Sequence, residues 1–218
     1  MHELINIDCP QFHFENIHLY CCDCMELMVK LPGGSAELCL SDPPYGIGED
    51  GGKCRTRESK KTNGKAGGWD NKTPPAEYFN EILRIGKNQI VFGGNYFTDK
   101  LPVSRGWLYW QKELGGDFAD GELIWTSFDM VLRQYKKRSE TFNRIHPTQK
   151  PVPLYEWLLK LLSKEGDRIL DTHLGGAASA IAAFNFKAFE FIGTEIDLDY
   201  FNAGVNRFKI HAMQQKLF

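Results

Sequence analysis

Three observations in the amino-acid sequence predict an α/β fold. Short apolar runs alternate along the chain with amphipathic stretches of helical period. Proline and glycine punctuate the joints between them. Hydrophobic residues make up 42% and charged residues 25% of the 218 positions, the balance of a folded chain rather than a disordered, collagen-like or coiled-coil one. A length of 218 residues suits one domain better than two, and neither an internal repeat nor a boundary interrupts it.

Taken in order, residues 17–21 read as a strand, and residues 24–31 as a helix with Met25, Met28 and Val29 on one face. Pro32-Gly33-Gly34 ends that helix, and residues 36–40 (AELCL) form the next strand. Residues 46–75 are rich in glycine and lysine, a loop long enough to be functional or disordered. Residues 76–84 read as a helix and 89–92 as a buried strand that runs into Gly93-Gly94-Asn95. Strands are expected at 107–110 and 122–128. Pro151 suits a first helical turn, after which Leu154, Leu158, Leu161 and Leu162 follow one face. A strand at 168–170 leads through a small-residue turn into a helix over 175–184. A strand at 189–192 precedes a final helix from Asp199, with Phe201, Val205 and Phe208 in register.

No apolar run approaches the length of a membrane span, and the start, MHELINIDCPQF, lacks the basic and apolar regions of a signal peptide. A cytoplasmic protein without membrane contact is expected. The six cysteines crowd the first quarter without a matching histidine cluster or the two spaced pairs that a zinc site needs. They read as reduced thiols, and no metal is expected. The net charge of −2 does not favour nucleic acid, but two stretches are basic, 53–72 and 133–150. Lys53, Arg55, Arg57, Lys60 and Lys61 in the first, with Lys136, Lys137 and Arg138 in the second, are candidate phosphate contacts. Solvated loops would carry the same charges.

Three constellations carry chemistry. Residues 171–177 (DTHLGGA) lie between a strand and a helix, and Glu195 stands at the end of the following strand. A glycine turn lets a ligand approach the backbone, and such an acid can accept hydrogen bonds from ribose hydroxyls. The same glycines would also serve plain packing. The absence of GxGxxG disfavours NAD. Directly after the AELCL strand comes Ser41-Asp42-Pro43-Pro44-Tyr45, where two prolines remove N–H donors and fix an extended backbone. What remains is two acceptors, the Asp42 carboxylate and the Pro43 carbonyl, beside a flat ring. That set suits a planar ligand donating two hydrogens from an exocyclic amine. The third is HPTQKP at 146–151, where Thr148 and Lys150 could hold a carboxylate near a helix start.

Together, DPPY at 42–45, GGNYF at 93–97, HPTQKP at 146–151 and IGTEID at 192–197 resemble the DNA amino-methyltransferases that use S-adenosylmethionine, in the β order of motifs. The resemblance spans residues 17–208. It implies a Rossmann-like methyltransferase fold with a mostly parallel sheet, helices on both faces and a circularly permuted motif order. It further implies DNA as partner, S-adenosyl-L-methionine as cofactor and a homodimer. Asp42 and the Pro43 carbonyl, with Pro44 stiffening the corner, would take the target amino group, and Tyr45 would stack on the extruded base. The cofactor would lie along Asp171, His173, Gly175, Gly176 and Ala177, with Glu195 and Asp197 at its ribose end and Asp23 and Cys24 at its adenine. Thr148 and Lys150 would sit near its carboxylate, with Asp42 beside it. The chain carries Thr172, His173, Gly176, Ala177 and Ala178 where the family commonly has Asp-Pro-Phe-x-Gly-Ser-Gly-Thr. The expected reaction is N6-methylation of adenine. Cytosine N4 presents the same amino chemistry, and a decayed, DNA-binding subunit is the reading from another class. The segments 46–75 and 116–144 are the expected DNA-contacting regions.

Overall fold

A computed structural model describes residues 1–48, 68–113, 119–139 and 144–215. Lys53, Arg55, Arg57, Lys60 and Lys61, and most of the glycine- and lysine-rich loop, lie outside the described residues.

The described strands are β1 (Gln11–Phe14), β2 (Ile17–Cys21), β3 (Ala36–Ser41), β4 (Gly86–Phe92), β5 (Trp107–Gln111), β6 (Gly121–Thr126), β7 (Arg133–Lys136), β8 (Arg168–Asp171) and β9 (Glu190–Glu195). The helices are α1 (Cys24–Met28), α2 (Ala76–Ile85), α3 (Val152–Leu162), α4 (Ala178–Phe186) and α5 (Leu198–Gln215). One sheet takes in all nine strands, in the order β1-β2-β9-β8-β3-β4-β6-β5-β7. β2, β9, β8, β3 and β4 run parallel, β6 enters antiparallel between β4 and β5, and β7 runs parallel to β5. The C-terminal ends of β2, β9, β8, β3, β4, β5 and β7 and the start of β6 therefore share one edge, the edge where open α/β sheets bind ligands.

Strands of such a sheet are buried on both faces, so their residues alternate between two cores. Leu19, Leu40, Phe92, Ile169 and Phe191 pack with α3, α4 and α5. Tyr20, Cys39, Val91, Leu170 and Ile192 pack with α1 and α2 on the other face. Helices on both faces of a mostly parallel sheet are what the sequence leads one to expect. Among the described residues no helix is long and apolar enough to cross a membrane.

Several local expectations need correction. The first helix stops at Met28, and Val29 is exposed while Leu27 faces the core. Leu161 also faces solvent, because Tyr155 and Leu159 complete the buried face of α3 with Leu154 and Leu158. Pro151 is the residue before α3 rather than within its first turn. Phe189 lies outside β9 and is exposed, and β6 ends at Thr126. β1 and β7 are strands that apolar patterning did not reveal, and β7 opens the basic stretch that begins at 133.

Candidate active site

The strand tips deliver the sequence motifs side by side. Leu40 of β3 pairs with Asp171 of β8, and the Thr172 N–H donates to the Leu40 carbonyl at 3.2 Å. Asp42 is close enough to act electrostatically on both Asp171 and His146. The acceptor corner and the glycine turn thus adjoin.

Asp42 is held from two directions. Lys150 Nζ meets its Oδ2 at 2.5 Å, and the Tyr45 hydroxyl donates to its Oδ1 at 2.7 Å. Glu122, at the start of β6, joins them: its Oε1 lies 2.7 Å from the Tyr45 hydroxyl and 3.2 Å from Lys150 Nζ, while Lys112 reaches Oε2 at 2.8 Å. Two carboxylates and two ammonium groups alternate around one phenol. Burial pushes Glu122 up, but Lys150 and Lys112 overcome it and hold the carboxyl at about 2. Burial opposes the charge on Lys150, and Asp42 and Glu122 more than restore it, so its pKa is raised. Burial and the two carboxylates push the Tyr45 hydroxyl well above its ordinary value, so it stays a proton donor. The ammonium also lies 4.5 Å from the centre of the Phe92 ring.

Backbone geometry seats the tyrosine. A Cβ on Gly93 would fall 2.5 Å from the Tyr45 ring, and Gly93 itself has φ +63°, so only glycine serves there. Tyr96, in the short turn that follows, stacks on Tyr45 with ring centres 5.0 Å apart. Asp70, buried, accepts from the Gly46 N–H at 2.8 Å and fixes the backbone immediately after Tyr45.

The neighbouring tips differ in kind. Asp171 accepts the His173 N–H at 2.9 Å, and Glu195 accepts the N–H groups of Gly175 at 2.8 Å and Asp197 at 3.0 Å. Burial raises Asp171 to about 6, and burial raises Glu195 too, with nearby carboxylates adding to both. Gly175 and Ala177 both take left-handed backbone, at φ +51° and +56°, which turns the chain tightly ahead of α4. Ile196, next to Glu195, is 69% exposed. His173 lies against the Tyr78 ring, and burial lowers it to about 4 with Asp23 opposing. Asp23 caps α1 by accepting from the Met25 N–H at 2.8 Å, and Cys24 is buried, which pushes its thiol up.

Residues 146–151 bridge the two halves. His146 packs between Trp69 and Tyr200 and beside Gly175, Gln149 lies against Gly176, and Lys150 reaches Asp42. Thr148 is exposed, its hydroxyl 3.2 Å from His146 Nδ1. Lys150 therefore meets the protein's own carboxylates, while Thr148 faces solvent. Lys136, Lys137 and Arg138, at the end of β7, share the edge of the sheet with Asp42 and are exposed, Lys136 pairing with Glu113 at 3.2 Å. A cavity of about 460 Å3 lined by Arg105, Phe128, Met130 and Leu162 lies away from these tips.

Sequence reasoning missed Glu122 and Lys112, and it quoted Tyr96 and Ile196 within the motifs at 93–97 and 192–197 without giving either a role. Glu122 left one signal, a lone acid in an otherwise apolar strand (GELIWT).

Residues 96–206 match the model of the N6/N4 methyltransferase family, described as DNA methylase. The protein YubD of Escherichia coli (strain K12), which bears a provisional methylase name, is 26% identical over 221 residues, covering 88% of this chain and 91% of YubD. The fold is shared with the M1.HpyAVI–SAM complex (TM-score 0.61, 16% identity, 88% of this chain and 98% of that one). It is shared also with the PvuII DNA methyltransferase, which is cytosine-N4-specific (TM-score 0.63, 15% identity, 88% and 86%). The chain belongs to the N6/N4 DNA methylase family.

Proposed function

We propose that this chain transfers the methyl group of S-adenosylmethionine to the N6 amino group of adenine in DNA. The observation that carries the reading is the adjacency of a fixed carboxylate, Asp42, to a glycine turn flanked by two carboxylates that, among the described residues, no lysine or arginine pairs with. The residues present fit the cofactor. Glu195 already spends one lone pair of each oxygen on backbone N–H groups and keeps others for ribose hydroxyls. Ile196 offers an exposed apolar surface for a purine beside Asp197, at the tip of β9 that pairs with the β2 tip ahead of Asp23 and Cys24. Asp171, with His173, Gly175, Gly176 and Ala177, supplies negative charge and close backbone approach for a positively charged ligand. Thr148 remains available at the rim for its carboxylate. When bound, S-adenosylmethionine supplies an electrophilic methyl on a sulfonium.

The protein's own part follows from its acceptors. An exocyclic amine shares its lone pair with the ring and is a poor nucleophile. Asp42 and the Pro43 carbonyl accept its two N–H groups and favour the pyramidal nitrogen whose lone pair is free. Asp42 also stabilises the positive charge that develops there. Lys150 and Tyr45 hold that carboxylate before the base arrives, so little reorganisation remains. A base inside a duplex is inaccessible and must rotate out, at a cost of roughly a few kcal/mol. Stacking on Tyr45 or its partner Tyr96 returns about 1–3 kcal/mol. Lys136, Lys137 and Arg138, on the same edge, supply phosphate contacts.

Cytosine N4 is the second reading, because the family takes both targets and one fold neighbour is cytosine-N4-specific. The test is to incubate the protein with unmethylated DNA and labelled S-adenosylmethionine, then digest to nucleosides. N6-methyladenosine in its deoxy form supports the proposal; N4-methyldeoxycytidine transfers it to the second reading, and no label in either sinks both.

A further inference from the structure

At the opposite edge of the sheet, the end of β1 and the starts of β2 and β9 bring together chemistry that the proposed reaction does not use. His13 and His18 are cross-strand partners, and their Nδ1 atoms lie 2.9 Å apart. Glu190, the first residue of β9, projects to the same face as His18, the face of Tyr20 and Ile192. His2 closes over them: its ring stacks on His18 with centres 3.7 Å apart, and its Nδ1 lies 2.7 Å from Glu190 Oε1. One ligand atom each from His2, His18 and Glu190 falls within 4.8 Å of the others.

We propose that His2, His18 and Glu190 form a binding site for a divalent transition-metal ion of the zinc type. Imidazole and carboxylate donors select that class over calcium or magnesium. Ligands held about 2.0–2.1 Å from a tetrahedral ion stand somewhat over 3 Å from one another. The present separation of 2.7 Å between His2 and Glu190 therefore needs to open by a fraction of an ångström when an ion replaces the shared proton, and the half-exposed His2 ring, now stacked on His18 at 15°, must tilt so that both in-plane lone pairs meet the ion. His18 and Glu190 are buried, whereas the His2 side chain is 38% exposed and gives an entry path. His13 is placed to orient the His18 ring or to complete the ligand set. The Met1 amino group also reaches Glu190, at 2.7 and 2.9 Å, and an entering ion competes with it. The site would pin residues 2–18 to the sheet. It stands some five residues along β9 from Glu195, about 16 Å at 3.3 Å per residue.

The test uses the full chain with a C-terminal tag free of histidine, reduced and stripped with EDTA. Cobalt(II) is titrated in and the spectrum recorded, then zinc(II) is added to displace it. The expected result is one saturable equivalent with visible d–d bands and no near-ultraviolet thiolate band. His18→Ala and the half-exposed His2→Ala should each weaken binding about tenfold or more. Zinc(II) should raise Tm in the unsubstituted chain and not in His2→Ala, whose far-UV spectrum and methyl transfer should be unchanged. No saturable binding, a thiolate band, or undiminished binding in His2→Ala and His18→Ala would each overturn the proposal.

Discussion

At the tips of β3 and β6, Asp42 and Glu122 stand against Lys150 and Lys112, and every charge of the cluster has an opposite beside it. One and two strands from β3, at the tips of β8 and β9, Asp171 and Glu195 are as deeply buried, yet they accept from backbone N–H groups instead of from lysines. The same residue types in the same edge thus have opposite electrostatics: lysines hold Glu122 at about 2, and burial lifts Asp171 to about 6. In the first half every charge already has its partner. In the second, among the described residues, no lysine or arginine pairs with the carboxylates, and a cationic ligand would supply that charge. Under the proposed function, this difference divides the part that would act on the base from the part that would receive the methyl donor.

The comparison can be broken first at its cation. Lys150→Met leaves the buried Glu122 and the partly buried Asp42 around Tyr45 with Lys112 alone, and should cost about 3–5 kcal/mol in urea unfolding. Arg105→Ala, which removes the exposed pair with Asp129, should cost under about 1 kcal/mol. Equal losses would mean that the Lys150 cluster contributes nothing special. Next in size, Asp42→Asn keeps the shape but weakens the acceptor. Methyl transfer should fall about 100- to 1000-fold, while S-adenosylmethionine binding changes little. Parallel loss of binding would merge the two halves into one.

The third effect has the opposite sign. Unfolded, Asp171 loses its proton near 3.8; folded, near 6. Between those values the folded chain holds the extra proton, so stability falls as pH rises through them and then levels. Asp171→Asn removes that loss and should stabilise the chain by roughly 3 kcal/mol at pH 7, with the gain vanishing below about pH 4. Glu122 works the other way, contributing stability above about 4.5 that disappears as pH falls toward 2. Thermal melts across pH 3–8 separate the two. The smallest effect is expected at the sheet edge, where Lys137→Gln should weaken DNA binding a few-fold and lower its salt dependence by about one phosphate contact.

Much of this was legible in the chain because it is local. The strand at Ile17–Cys21 is found with its bounds unchanged, since four of its five residues are buried and a sequence run reveals that. The DPPY corner and the glycine turn follow strands that apolar runs mark, so their place at strand tips could be foreseen. What escaped depends on contacts distant in sequence. β7 (RQYK) is short, polar and at an edge, where neither face needs an apolar pattern. Glu122 meets Asp42 because β6 inserts antiparallel between β4 and β5, an order that no local pattern encodes. Lys150 meets Asp42 and Glu122, which lie 108 and 28 positions away, too far for a local pattern to announce. The cluster of His2, His18 and Glu190 was invisible for the same reason, with 188 positions between its ends.

The most direct test of the division between a satisfied half and a charge-seeking half is calorimetric titration of S-adenosylmethionine at pH 5, 6 and 7. If Asp171 receives the cationic ligand, affinity should rise roughly tenfold over that range as one proton leaves, and Asp171→Asn should bind weakly with no such rise. A flat profile in the unsubstituted protein, or the same slope in both proteins, would contradict it.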